Sequence, residues 1–378
     1  MLLSKKIFLT STIVLIVLLL FWGIYNLSFN RPAAPTQSSQ SSSQTTTTVQ
    51  NAPLVAAISD EAVLAPTLSS DGEHIEYYSK KTGETYEINF DGSDKQTISN
   101  KELPGLANVL WSPDASKVIT EFYKANGQPQ FYYFNYTTNS AIPLKSNLDT
   151  IAWKDNSKIF YKYYDPQTQE RTLNIANPDG SDWTKIADLN FKDVIIAPIP
   201  KTGLLSFWNT PDANVLSTLY STPVISGDIN TVFTGKYGAD YLWSPDGSSV
   251  LVSHTDQQGG SRIVLAVIDG DGNNYTNLNS ATFVQKCVWS LDDKTIYCAV
   301  PDSLPSNAVL PNDYLDGKMT TTDSFWKIDT STGNKTIIAG PNQLDGKKFD
   351  ASNLFLNLNE SSLFFVNKLD GKLYKINL

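Results

Sequence analysis

A phrase built on Trp-Ser-Pro-Asp returns along this chain at a nearly constant interval, and that interval restricts the fold more than any other feature. It is clearest at Trp111-Ser112-Pro113-Asp114-Ala115 and Trp243-Ser244-Pro245-Asp246-Gly247. Worn copies stand at Trp153-Lys154-Asp155-Asn156, Trp289-Ser290-Leu291-Asp292-Asp293 and Leu68-Ser69-Ser70-Asp71-Gly72. The faintest are Pro198-Ile199-Pro200-Lys201 and Leu356-Asn357-Leu358-Asn359. Successive copies lie 43, 42, 45, 45, 46 and 67 residues apart. A period in the forties made of short strands is the mark of a β-propeller. Such a unit buries its faces only against its neighbours, so a long chain needs no single large core. The expectation is an all-β, seven-bladed β-propeller of four-stranded antiparallel blades over residues 54–378.

The strand rhythm within each unit supports this. The first unit alternates His74-Ile75-Glu76-Tyr77-Tyr78, Tyr86-Glu87-Ile88-Asn89-Phe90 and Gln96-Thr97-Ile98 with turns at Thr82-Gly83 and Asp91-Gly92. Gly supplies positive φ in such turns, while Asp and Asn bond back to the backbone. The 18 Tyr, 17 Phe and 8 Trp suit pleated surfaces. The fourth unit lacks the Trp yet keeps four strand slots, from Val194-Ile195-Ile196 to Thr231-Val232-Phe233. The seventh has only three, ending at Leu378. Leu54-Val55-Ala56-Ala57-Ile58, ahead of the first unit, is predicted to supply its outer strand and close the ring, which removes exposed edges.

Residues 1–29 read as a cytoplasmic stub and a single-pass transmembrane anchor. The run from Ile7 to Phe29 is almost wholly apolar, about the 20 residues a helix needs to span hydrocarbon. Lys5 and Lys6 precede it, which places the N-terminus inside and the body outside the membrane. A cleaved signal peptide is the rival reading, with Ala33-Ala34 as a weak cleavage site. Residues 30–53, rich in Ser, Thr, Gln and Pro, bury too little apolar area to order themselves and read as a flexible tether.

At Trp111-Ser112-Pro113-Asp114 and Trp243-Ser244-Pro245-Asp246-Gly247 the chain resembles the TolB-type, WD-repeat-like β-propeller family, across about residues 54–378. The resemblance implies a toroidal extracytoplasmic domain that serves as an interaction platform. The shared residues are structural (Trp111, Asp114, Trp153, Trp243, Asp246, Trp289, Asp292), so no catalytic residue comes with them. The anchor and long tether differ from the soluble member that names the family.

Charge narrows the partners. Three of the 29 Lys and Arg lie in residues 1–31, which hold no acid, so the body carries 26 bases against 38 acids. An acidic body without a basic stripe argues against nucleic acid and for a soluble, monomeric domain. The two histidines, His74 and His254, fall in different units, which disfavours a metal cluster or a His-assisted nucleophile. Asp269-Gly270-Asp271-Gly272-Asn273-Asn274 opens like a calcium loop, but Ser280 stands where the bidentate Glu belongs, so a polar turn explains it as well. No cofactor or metal is expected.

Cys287 and Cys298 would face one another across a hairpin centred on Asp292-Asp293, as a disulfide or as free buried thiols. The extra residues of the sixth unit fall at 301–323, between its second and third strands, and carry Asp313, Tyr314 and Asp316. That loop should overhang the face where the chain leads into each inner strand, marked by Asn108, Asp149, Asp193, Asp240, Lys286 and Asn353. A mostly acidic rim under one long loop is the candidate recognition surface for a protein or cell-envelope polymer. The alternative is a glycan hydrolase or lyase using Asp149, Asp193 and Asp240 around the central funnel; retaining hydrolysis would need two carboxyls about 5–5.5 Å apart.

Overall fold

The computed structural model describes residues 53–225, 227–344 and 346–378. The stub, anchor and tether expected before residue 53 lie outside them. Among the described residues no helix is long and apolar enough to cross a membrane. Strands of three to eight residues pair into seven four-stranded antiparallel sheets, one for each copy of the repeat. In blades 1 to 6 the four strands follow in chain order, as in blade 5, with Asp240–Trp243, Ser249–Thr255, Ile263–Asp269 and Thr276–Ser280. The fourth unit is a full blade despite its missing Trp, running from Val194–Pro198 to Asn230–Tyr237.

Blade 7 is shared by the two ends of the described chain. Its strands Ala351–Leu356, Ser362–Asn367 and Leu373–Asn377 are completed by Val55–Ala57, with Val55 opposite Ile376 and Ala57 opposite Tyr374. Ile58 N–H donates to the Leu373 carbonyl at 2.9 Å, and Leu373 N–H donates to Ser59 Oγ at 2.9 Å. The ring is latched.

The repeated phrase has a physical purpose. Each Trp closes an inner strand and reaches back to the preceding blade. The Trp111 indole N–H donates to the Ala65 carbonyl at 2.7 Å, Trp153 to Leu110 at 2.9 Å and Trp289 to Leu242 at 3.1 Å. Trp243 instead meets Ser206 Oγ at 2.9 Å, a hydroxyl that itself donates to Ala197. One residue type therefore supplies both a large apolar plate and a partner for an inner-strand carbonyl. The turn after it needs a left-handed residue: Gly247 sits at φ 76°, where an added Cβ would strike the Pro200 carbonyl, and Ala115 takes φ 53° at the same step.

The Asp of the phrase ties the turn. Asp246 Oδ1 accepts from Ser248 N–H at 2.8 Å and from Ser244 Oγ at 2.8 Å. These bonds, the Ser248 amide foremost, pull its carboxyl down to about 2. A depressed carboxyl contributes stability that is full above the unfolded value near 4 and is lost as pH falls through about 2. Asp246→Asn is therefore expected to flatten the acid limb of the melting-temperature profile between those pH values; an unchanged limb would remove this turn from the acid response.

Candidate functional site

Alternation sets what each blade shows its neighbours. In blade 2, Ile119, Phe131 and Tyr133 point at blade 3 and bury with Leu148, Ile151 and Trp153. Thr120, Phe122, Tyr132 and Phe134, of opposite parity on the same strands, face blade 1. That seam is thinly filled. Its core holds three buried residues, Tyr78, Val109 and Val118, against seven or more in each of the other six seams.

The unfilled space is a cleft of about 490 Å³ between the outer parts of blades 1 and 2. Phe122, Tyr132, Phe134 and Pro143 form one wall, Leu103 and Thr85 the other, and Lys101 lies among the lining residues. Tyr78 OH and Tyr136 OH lie 2.6 Å apart, and Thr85 Oγ1 stands 3.2 Å from Tyr136 OH. Burial raises the pKa of both phenols, so they remain neutral hydroxyls. Tyr136 is fixed by stacking on Trp111 at 5.8 Å and by an edge contact with Phe134 at 4.9 Å. An apolar trough with a few fixed hydroxyls is the usual make-up of a ligand site. The sequence did carry a signal here, the run Phe131-Tyr132-Tyr133-Phe134 beside Tyr136, but strand alternation alone does not reveal which seam is left open.

The expected rim is less uniform than its sequence implied. Asn108 and Asn353 do line the central funnel, a space of about 590 Å³ whose mixed wall also includes Leu64, Thr67, Ile151 and Ile196. Asp193 is exposed, while Asp149 pairs with the buried Lys162 at 2.7 Å. Burial raises the Asp149 carboxyl against that pairing, and the nearby Asp193 charge adds to the rise. Asp240 is half-buried and accepts from the Trp208 indole N–H and the Tyr241 amide, both at 3.0 Å; burial pushes its carboxyl up to about 6.

Two expectations need correction. Lys286 is not on an open rim: it is wholly buried between Asp323, which opens the strand Asp323–Asp329, and Asp350, which precedes Ala351–Leu356. Tyr314 is not a free recognition group. It is 1% exposed, stacks on Phe283 at 4.5 Å and donates to Asp350 Oδ1 at 2.7 Å. The insertion 301–323 lies on the face where the chain enters the inner strands, with Ala308, Leu310 and Tyr314 packed onto Ile263 and Phe283 and Tyr314 hydrogen-bonded to Asp350. Asp313 and Asp316 remain toward solvent and bind Lys318 at 3.6 and 2.8 Å.

Other sequence candidates resolve simply. Asp269 Oδ1 accepts from the Asp271 and Asn273 amides at 3.1 and 2.7 Å, so that segment is a self-satisfied turn. His254 is buried between the Thr255 carbonyl and Tyr275 OH, at 2.6 and 2.7 Å. Among the described residues no three His, Cys, Asp or Glu converge in a way that would hold a metal ion. Cys287 and Cys298 are direct register partners with Cα atoms 4.1 Å apart, and their sulfurs are bonded. A thiol titration of denatured, unreduced protein is expected to find no free thiol; two would contradict the bond.

No family model matches the chain, and no curated protein matches it. Solved structures do. An oligogalacturonate lyase in complex with manganese is 12% identical with a TM-score of 0.58, over 86% of this chain and 93% of that one. The chain folds as these propellers do. The β-propeller domain of the Trilobed protease from Pyrococcus furiosus, described as an open velcro topology, is 11% identical with a TM-score of 0.54, over 83% and 92%. The ring here differs in being latched by Val55–Ala57. TolB from Acinetobacter baumannii is 12% identical with a TM-score of 0.46, over 74% of this chain, which spans 64% of that TolB.

Proposed function

We propose that the chain is a membrane-tethered, extracytoplasmic binding module whose propeller engages a protein or cell-envelope partner without chemistry. The cleft between blades 1 and 2 carries this reading. It offers aromatic walls, neutral hydroxyls and Lys101 in place of a nucleophile and base. Its chemistry fits a partner segment that inserts an apolar or aromatic group and brings an acceptor for the hydroxyls or the lysine. Tyr132, 38% exposed, is the wall residue such a group would cover.

The experiment is capture from native membranes with the full chain and with Tyr132→Ala. The variant is expected to lose about 10-fold in affinity, about 1.4 kcal/mol, with an unchanged melting temperature. Equal capture by Tyr132→Ala, together with loss in Asn353→Ala, would move the site to the funnel.

The second reading, glycan elimination or hydrolysis, draws on the lyase likeness and on the raised carboxyl of Asp240. The acidic body opposes a polyuronate substrate, and Asp240 is already occupied by Trp208 and Tyr241. Turnover on a glycan panel that rises through about pH 6 and vanishes in Asp240→Asn would reverse the ranking.

A further inference from the structure

Where blade 6 meets blade 7, a lysine and two aspartates are sealed from water. Lys286, Asp323 and Asp350 are each 0% exposed. Lys286 Nζ has four acceptors for its three protons: Asp323 Oδ2 at 2.6 Å, Asp350 Oδ1 at 2.8 Å, Thr321 Oγ1 at 2.9 Å and the Ala351 carbonyl at 3.0 Å. Phe283 and Tyr314 roof the group, with the Tyr314 ring 5.0 Å from Nζ.

The two carboxyls differ. Asp350 is held at both oxygens, by Tyr314 OH at 2.7 Å, Thr321 Oγ1 at 3.0 Å and the Thr321 amide at 3.2 Å. Burial pushes its carboxyl up, but Lys286 and these hydrogen bonds outweigh that and leave it low. Asp323 accepts the Ala351 amide at 2.7 Å through Oδ2, while its Oδ1 is buried with no hydrogen-bond partner. Burial there prevails, so the Asp323 carboxyl is raised, in the direction of its acid form. One carboxyl is held at both oxygens and the other at Oδ2 alone, with an amine between them.

We propose that Lys286 and Asp323 become joined by an intramolecular amide bond, with Asp350 as the proton acceptor. Asp350 takes one proton from the Lys286 ammonium, and the freed amine attacks Cγ of Asp323. The C–N bond forms as the bond from Cγ to Oδ1 breaks. The second amine proton leaves with the Oδ1 hydroxyl as water, and Asp350 keeps the first. No oxidant or co-reactant is needed. In water the reverse reaction wins, but the fixed contact supplies a high effective concentration and the site excludes bulk water. The product also replaces buried charges, which are costly to desolvate, with a neutral amide. The bond would staple the approach to blade 6 onto the base of the 301–323 insertion.

The test is a tryptic digest of the full, reduced and alkylated chain, read by mass spectrometry. Acylated Lys286 resists trypsin, so residues 263–294 are expected as one uncut segment joined to residues 319–327, lighter by one water. A digest dominated by a free peptide ending at Lys286 would overturn the proposal. A join to residues 349–368, which contain Asp350, would overturn the choice of Asp323. Lys286→Arg, which keeps the charge without a reactive amine, is expected to lose the joined species, as is Asp350→Asn. Persistence of the join in either variant contradicts the assigned role. Because the wild-type digest is decisive alone, a variant that fails to fold leaves the result intact.

Discussion

Deleting residues 54–58 is expected to lower the melting temperature of the chain by roughly 10 °C or more. The deletion strips the outer strand from blade 7 and exposes an unpaired edge at Leu373–Asn377. Val55 and Ile58, 5% and 6% exposed, leave the cores that join blade 7 to blades 6 and 1. Two aliphatic side chains of this kind contribute roughly 3–6 kcal/mol by area. The Ile58 N–H bond to the Leu373 carbonyl and the pairing of Val55–Ala57 with Tyr374–Ile376 are lost as well. Because the strand joins the ends of the ring, its loss also frees blade 7 to open, and aggregation through the bare edge should accompany the lower midpoint. Calorimetry checks this directly. An unchanged transition would mean that the last blade stands without its borrowed strand.

Lys286→Met should cost about 3–5 kcal/mol in urea unfolding. It removes the amine that Asp323 and Asp350 share in a site without solvent, and with it any amide bond to Asp323. A buried pair adds little net stability when made, but breaking it leaves the remaining charges unpaired. Here the Asp350 carboxylate loses its cation and Asp323 loses an Oδ2 donor while Oδ1 already has no partner, so the effect belongs at the upper end. Replacing Asp323 by Asn in the same background should recover part of the loss. Equal stability of Lys286→Met and the wild type would contradict the account of this joint.

The blade count, the ring closure and the cysteine register were legible because each rests on a local rule. Period gives the units, alternation gives the strands, and a hairpin centre gives Cys287 opposite Cys298. The fourth blade was legible without its Trp because strand rhythm survives the loss of one packing residue. The candidate site was less legible. Lys286 ends the turn before the strand Cys287–Trp289 and Asp323 opens the strand Asp323–Asp329, and sequence alone assigns such polar residues to the surface. Their burial depends on Asp350, far along the chain, coming to the same point. Tyr314 reads as a loop aromatic until Phe283 is found stacked beneath it. The cleft between blades 1 and 2 is a property of two facing surfaces, and neither strand set announces how well the other fills it.

Amide hydrogen exchange in the full chain tests the closed ring most directly. The account predicts that amides of residues 55–59 and 373–377 exchange slowly and at a common rate, because the two segments open as one sheet. Fast exchange across 55–59 beside protected amides at 373–377 would contradict it.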